Sequence, residues 1–316
     1  MIRRRALLGS AIAATAAIGL AACTDDSGDP EATGGASDGG GEVLSAVSIS
    51  EDLAAEPVVE FTPPLSVDRA DSIVVVPGDG AAIAEGDTLL WRSLYVAGAS
   101  GETLQSWWQG APAGGVTVSS DGIGEAAAQF LTTVTVGSRV AMSGWQKDSN
   151  GQMVSLVQVA DIDSVVSPLR AEGTAEAPSG TYPAVTLGDD GAPAISGPGE
   201  GEPPSATVRE VLITGTGEAT AEGDYLVMQY TGWNWEDGSQ FDSSWERGAP
   251  FGFVQGEGRV ITGWDENLLG LPVGSQVMLV IPPAEAYGQE GESQHELAGK
   301  TLIFVVDVLA RGPRSA

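Results

Sequence analysis

The chain has 316 residues, enough for two domains, with 43 acidic against 14 basic side chains and a formal net charge of −29. A surface that acidic repels phosphate backbones and excludes nucleic acid as a partner. The single histidine (His295) and single cysteine (Cys23) leave no Ser-His-Asp or Cys-His nucleophile and no zinc centre of the usual kind; neither metal nor cofactor is expected.

Residues 1–23 read as a targeting segment, with Arg3, Arg4 and Arg5 before an apolar stretch too broken by Gly9, Ser10 and Gly19 for a stable membrane span. Its end, Leu20-Ala21-Ala22-Cys23, resembles the lipobox of bacterial lipoproteins. That resemblance implies cleavage before Cys23, a lipid on its thiol and an extracytoplasmic protein anchored in the bacterial cell membrane. The alternative is a plain secretory signal with a chance cysteine. Residues 24–43, acidic and Gly/Ser-rich, predict a flexible tether.

From residue 44 the chain repeats itself at an offset of 137 residues: Glu85-Gly86-Asp87 returns as Glu222-Gly223-Asp224, and Val136-Gly137-Ser138 as Val273-Gly274-Ser275. That is too long for a solenoid repeat and predicts a domain duplication: domain one at 44–168, a linker at 169–179, domain two at 180–316. In domain one, Gly124–Leu131 is the predicted short helix. Trp91, Trp107, Trp108 and Trp145 supply either an apolar contact surface or core. In domain two, period-two alternation puts Leu226, Met228 and Tyr230 on one strand face, and Asp237-Gly238 predicts a turn. Phe251 and Phe253 share a short strand. Thr262–Leu269 is the one predicted helix. Gln276–Ile281 is a strand stopped by Pro282-Pro283, and Thr301–Leu309 is the last strand. The fold class is α+β: two similar domains, each an antiparallel sheet wrapped around one short helix.

The strings YTGWNWEDGSQFDSS, RVITGW, AYG and TLIFVVDVL, in that order, resemble the FKBP-type peptidyl-prolyl cis/trans isomerases over essentially all of domain two. The resemblance implies an aromatic proline pocket and catalysis without covalent chemistry. Tyr230 would line the pocket, Phe241 would form a wall, and Asp242 would pair with Arg247. Phe251 and Phe253 would add wall, and Val260 would precede Ile261, whose N–H binds a substrate carbonyl. Trp264 would be the floor, Tyr287 would offer its hydroxyl and Phe304 would close the far side. The implied partners are proline-containing exported polypeptides, and the implied ligands are macrolides of the tacrolimus and rapamycin type. The chain departs from the family after Tyr287, where GQEGESQHELAGK replaces an apolar pair at the rim; Leu297 can substitute after a small shift, and His295 reads as a solvated loop residue.

The competing reading is a chaperone or binding module that uses this fold without turnover; the joint presence of Tyr230, Asp242, Ile261, Trp264 and Tyr287 favours the enzyme. In domain one the repeat puts Ser93 at the place of Tyr230, Leu104 at Phe241, Gln105 at Asp242, Gly114 at Phe251, Val116 at Phe253, Gly124 at Ile261 and Ala127 at Trp264. Domain one is therefore expected to keep the fold without the site.

Overall fold

The computed structural model describes residues 43–147, 151–291 and 293–314. The targeting segment, Cys23 and all but the last residue of the tether lie outside the described residues.

Alternating apolar residues make strands, and the strands make two antiparallel sheets. The N-terminal half carries a small hairpin, β1 (Ser48–Ile49) and β2 (Val59–Glu60), then β3 (Asp71–Val76), β4 (Thr88–Ala97), β5 (Thr103–Ser106) and β6 (Gly114–Thr117). Helices α1 (Ser120–Ile123) and α2 (Glu125–Leu131) precede β7 (Arg139–Lys147) and β8 (Met153–Val165). The sheet runs β3-β7-β8-β4-β5, with β6 on β4. The C-terminal half follows the same plan: β9 (Gly173–Ala175), a hairpin of β10 (Val185–Leu187) and β11 (Pro193–Ile195), then β12 (Val208–Gly215), β13 (Tyr225–Asn234) and β14 (Gln240–Ser243). Helix α3 (Ser244–Arg247), β15 (Phe251–Val254), α4 (Thr262–Asn267), β16 (Gln276–Ile281) and β17 (Leu302–Arg311) complete it. Its sheet runs β14-β13-β17-β16-β12-β9, with β15 on β13.

The repeat extends to register. Val74 pairs with Val140 as Val211 pairs with Val277, and both first long strands bulge at the next step. Leu94 faces Ser106 as Thr231 faces Ser243. Only the last strand slips: Arg139 faces Asp161 in one half, while Gln276 faces Asp307 in the other. The extra residues lie in the loop between β16 and β17. In the N-terminal half β7 and β8 instead run on as one long hairpin.

Each sheet buries one face under its helix. In the C-terminal half Leu226, Met228, Leu279, Ile281, Val306 and Val308 pack on Trp264 and Leu268 of the α4 region. The opposite face, with Trp233, Trp235, Met278 and Ile303, is covered by the β10–β11 hairpin through Val185 and Ile195.

Three readings of the sequence are sharpened by the structure. The linker at 169–179 carries a strand: β9 within it pairs with β12, and Ala171 N donates to Asp307 Oδ2 at 2.8 Å. An open sheet edge is a row of unpaired N–H and C=O groups, and the linker satisfies three residues of it. Second, α4 stops at Asn267, and the four-residue α3 has no counterpart in the predicted elements. Third, of the two roles left open for the four tryptophans, contact surface or core, packing takes three of them. Trp91 is buried in the N-terminal core, Trp108 packs beneath the β1–β2 hairpin, and Trp107 donates its indole N–H to Pro313 O at 2.9 Å. The Arg92 guanidinium sits over both Trp107 and Trp108.

Candidate active site

Tyr230 comes from the middle of β13, where strand alternation aims it into the concave side. Its ring meets Trp264 and Phe251 edge-on at 5.1 and 6.0 Å between centroids, and lies tilted at 58° to Phe304 at 6.1 Å. Phe241 on β14 meets Phe304 at 5.5 Å and 87°. These edge-to-face contacts set the positive edge of one ring against the negative face of the next, which fixes their orientations. The approach of Phe241 to Phe304 requires Gly232 between them: a Cβ there would lie 2.6 Å from the Phe241 ring and 2.8 Å from Phe304.

The polar end of the site is one connected group. The Tyr230 hydroxyl donates to Asp242 Oδ2, Arg247 Nη1 pairs with Asp242 Oδ1, and Arg247 Nη2 donates to the Tyr230 hydroxyl at 2.9 Å. Burial, reinforced by Asp242, pushes the Tyr230 hydroxyl up to about 12, so it stays protonated and donating. Helix α3 makes this possible. Its first residue, Ser244, is fully buried and accepts from Tyr230 N at 2.8 Å, which places Arg247 one turn on, beside Asp242.

The opposite lip is built at the start of α4. Asp265 accepts from Gly256 N and Gly258 N at 3.0 and 2.8 Å and so shapes the turn that leads into Arg259, Val260 and Ile261. Ile261 is the extended residue before α4, and its own N–H has no acceptor among the described residues. The indole N–H of Trp264 is likewise buried without a partner.

Tyr287 follows the 3₁₀ turn at Pro283–Glu285 and is half-buried. Burial, then Asp242, raises its hydroxyl pKa. The His295 imidazole lies flat on the Tyr287 ring at 3.8 Å and 2°, and its Nδ1 accepts from Leu297 N at 3.2 Å. His295 is exposed in its loop, as expected from the sequence; the stacking on Tyr287 is what the sequence did not show. Leu297 is buried in the core cluster beside Tyr287 and supplies the apolar position expected of that loop.

Together these groups enclose a cavity of about 510 Å³ lined by Tyr230, Phe241, Asp242, Phe251, Val260, Ile261, Trp264, Tyr287 and Phe304. Phe253 does not line it: it is 2% exposed and stacked behind Phe251 at 5.7 Å, one layer deeper than expected. Arg247 stands behind Asp242 and is not a lining residue. Arg259, Thr262 and Ala286 also line the cavity and were not singled out from the sequence. Arg259 and Thr262 flank the Val260-Ile261 pair, so that signal was present in RVITGW. No group of three or more potential metal ligands occurs among the described residues.

The family profile described as FKBP-type peptidyl-prolyl cis-trans isomerase matches residues 216–309, which contain every residue of this cavity. A FK506-binding protein of Streptomyces anulatus is 40% identical over 119 residues, 37% of this chain and 95% of the relative. The mouse peptidyl-prolyl cis-trans isomerase FKBP2 is 46% identical over 94 residues, 30% of this chain and 66% of the relative. Among solved structures, FkpA from Escherichia coli is 32% identical, with 42% of this chain and 53% of that chain covered and a TM-score of 0.31. With nearly the whole length of a relative matched at that identity, the chain belongs to the FKBP-type peptidyl-prolyl cis-trans isomerases.

Proposed function

We propose that the cavity is the catalytic site, with Tyr230, Phe241, Asp242, Ile261, Trp264 and Tyr287 acting on the prolyl bond and Phe251, Val260 and Phe304 holding the ring. The observation that carries this is the pairing of an aromatic box with two aimed polar features at its mouth: a carboxylate fixed by Tyr230 and Arg247, and the unengaged N–H of Ile261.

The chemistry follows from the amide. Resonance gives the prolyl bond a rotation barrier of about 18–20 kcal/mol. Twisting the bond removes resonance and leaves the carbonyl less polar. An apolar box therefore favours the twisted state over the planar one, which is differential binding. The Ile261 N–H holds the substrate carbonyl next to the proline, and the Tyr287 hydroxyl, kept protonated, is a second donor at the rim. Bringing an exchange of roughly 10–100 s into the millisecond range requires about 10⁴-fold, or roughly 5.5 kcal/mol. No nucleophile or metal is required at any step.

The substrates proposed are proline-containing polypeptides outside the cytoplasm. The support is the targeting segment and the position of the one cysteine, Cys23, at the lipobox, which would hold the enzyme at the membrane surface. Macrolides of the tacrolimus type are proposed as pocket ligands, because relatives carry the name FK506-binding protein. The test is a protease-coupled or NMR exchange assay on the chain with a Leu-Pro peptide, with the inhibitor titrated. Turnover abolished by Phe241→Ala supports the assignment; a folded Phe241→Ala variant with full turnover overturns it. For the anchor, Cys23→Ala should release the protein from membranes or leave it uncleaved. Normal processing with unchanged membrane association would dismiss the lipid.

A further inference from the structure

The two halves of the repeat meet at equivalent places. Leu90 and Val227 hold the same position in the two halves, and both are buried in one cluster with Val166 and Leu309. The backbone around them repeats as well: Val166 N donates to Thr88 O, and Gly312 N donates to Tyr225 O, each at 2.7 Å. The symmetry breaks at the pair Thr88 and Tyr225. Thr88 bonds to Thr117 within its own half. Tyr225 reaches across.

The Tyr225 ring fills the space above Gly115 of β6, where a Cβ would lie 2.8 Å from its Cε1, and its hydroxyl donates to Gly115 O at 3.3 Å. The same ring covers Gly252 of β15, where a Cβ would lie 2.0 Å from the hydroxyl oxygen. Gly252 is the residue between Phe251, in the pocket wall, and Phe253 behind it. One ring is thus held between the N-terminal half and the strand that carries the wall. A second tie lies beside it: Trp107 of the N-terminal half donates to Pro313 O, and Gly312 packs on Ala113.

Strand β15 has four residues and pairs with β13 alone. Glycine in the interior of a short edge strand weakens it and leaves no side chain of its own to pack there, so the ring that covers Gly252 adds a hold that Phe253 alone does not give. We propose that the N-terminal half is a built-in positioning element of the isomerase: through Tyr225 it fixes β15, and with it the Phe251 wall. This rests on the reading of the cavity as the catalytic site. Tyr225 touches no substrate in this arrangement and is a positioning residue.

The wall contacts a bound proline ring in its planar and twisted states alike. Loosening it removes binding common to both, which raises KM and leaves kcat nearly unchanged. In the full chain, Leu90→Asp and Tyr225→Ala are each expected to raise KM about 5-fold with kcat within about 2-fold, and Tyr225→Phe, which keeps the ring, to stay near wild type. Native-state hydrogen exchange should quicken at residues 251–254 and not along β16. Should Leu90→Asp fail to fold, Leu90→Ala, which empties the same buried contact without adding a charge, is held to the same criteria. An unchanged KM in folded Tyr225→Ala, a fall in kcat with KM unaltered, or exchange accelerated equally across the whole C-terminal half overturns the proposal. Loss of the site assignment itself looks different: Phe241→Ala and Asp242→Val would then leave turnover intact whatever the interface variants do.

Discussion

Asp242 has one side chain on each oxygen: the Tyr230 hydroxyl on Oδ2 and Arg247 on Oδ1. Asp242→Val leaves both donors facing an apolar group at the pocket mouth. Hydrogen bonds to a charged group contribute about 1.5–3 kcal/mol, so turnover should drop roughly tenfold or more, with the fold kept because this ion pair is well exposed. A folded variant with undiminished kcat/KM would remove the carboxylate from the mechanism. The Tyr230 hydroxyl, held up to about 12 by burial and by Asp242, loses no proton in the alkaline working range. Turnover should therefore be flat from about pH 8 to about pH 10 as far as Tyr230 is concerned, and an alkaline loss with a midpoint below the ordinary tyrosine value near pH 10 would contradict it. His295 belongs with these residues for a reason its sequence context hides. Nothing in GESQHEL marks an aromatic partner, because the stacking on Tyr287 is produced by a loop that closes back on itself through the Gly299 N to Gly288 O bond. An aromatic contact contributes about 0.5–1.5 kcal/mol, so His295→Ala should raise KM about 2- to 10-fold by freeing Tyr287. An unchanged KM would leave the stacking without a part in holding Tyr287.

At the scale of elements, legibility followed local period. The strands of the C-terminal sheet were readable because apolar residues alternate over six residues or more, and the site strings lie on those strands and at their ends. Helix α3 was not readable: four residues complete barely one turn, and its anchor is a buried Ser244 bonded to a strand fourteen residues away. Strand β9 was invisible for a related reason. Its residues, Gly173-Thr174-Ala175, carry no pattern, and its partner on β12 is distant in sequence. What fixes the segment before it is a side chain on the far strand β17, Asp307, which accepts from Gln276 Nε2 at 2.7 Å and from Ala171 N. The N-terminal half meets the same need differently, with buried Arg139 on Asp161 and on the carbonyls of Ser50, Asp52 and Ala55. Burial raises the Asp307 pKa to about 6, against the lowering effect of its two donors. Its folded value lies above its unfolded one, so between about pH 4 and about pH 6 the folded state binds more protons, and stability falls as pH rises. Across that window wild type should lose on the order of 3 kcal/mol relative to Asp307→Asn, read from denaturant unfolding at the two ends. A difference that stays constant with pH, or changes in the opposite direction, would show that Asp307 does not titrate there.

At the scale of the molecule, the duplication preserves the frame and removes the site from one copy. Where Tyr230 stands in one half, the other has Ser93; Ala127 replaces Trp264, Gly114 replaces Phe251, and Gln105 replaces Asp242. Register extends the comparison to Phe304, which faces Gly232, whereas Gln158 faces Tyr95. Arg247 falls at Gly110, the left-handed residue that ends the turn at Trp107–Gln109. Tyr95 occupies the place of Gly232, the one position that has to be bare for the Phe241 and Phe304 rings to meet. Its hydroxyl, pushed up to about 12 by burial, is bonded to Ser93 instead of to a carboxylate. The long β7–β8 hairpin takes the place of the loop that carries Tyr287. A twisted prolyl bond gains nothing over a planar one where no aromatic box surrounds it. The prediction is that all turnover of the full chain arises in the C-terminal half. Phe241→Ala combined with Asp242→Val should bring prolyl exchange to within about 2-fold of the uncatalysed rate at enzyme concentrations where wild type accelerates it about a thousandfold. Far-ultraviolet circular dichroism and an unchanged unfolding midpoint would show that both sheets remain intact. A residual rate that rises in proportion to the concentration of the double variant, and disappears when Ser93 or Tyr95 is replaced, would locate a second site in the N-terminal half and end this division of labour.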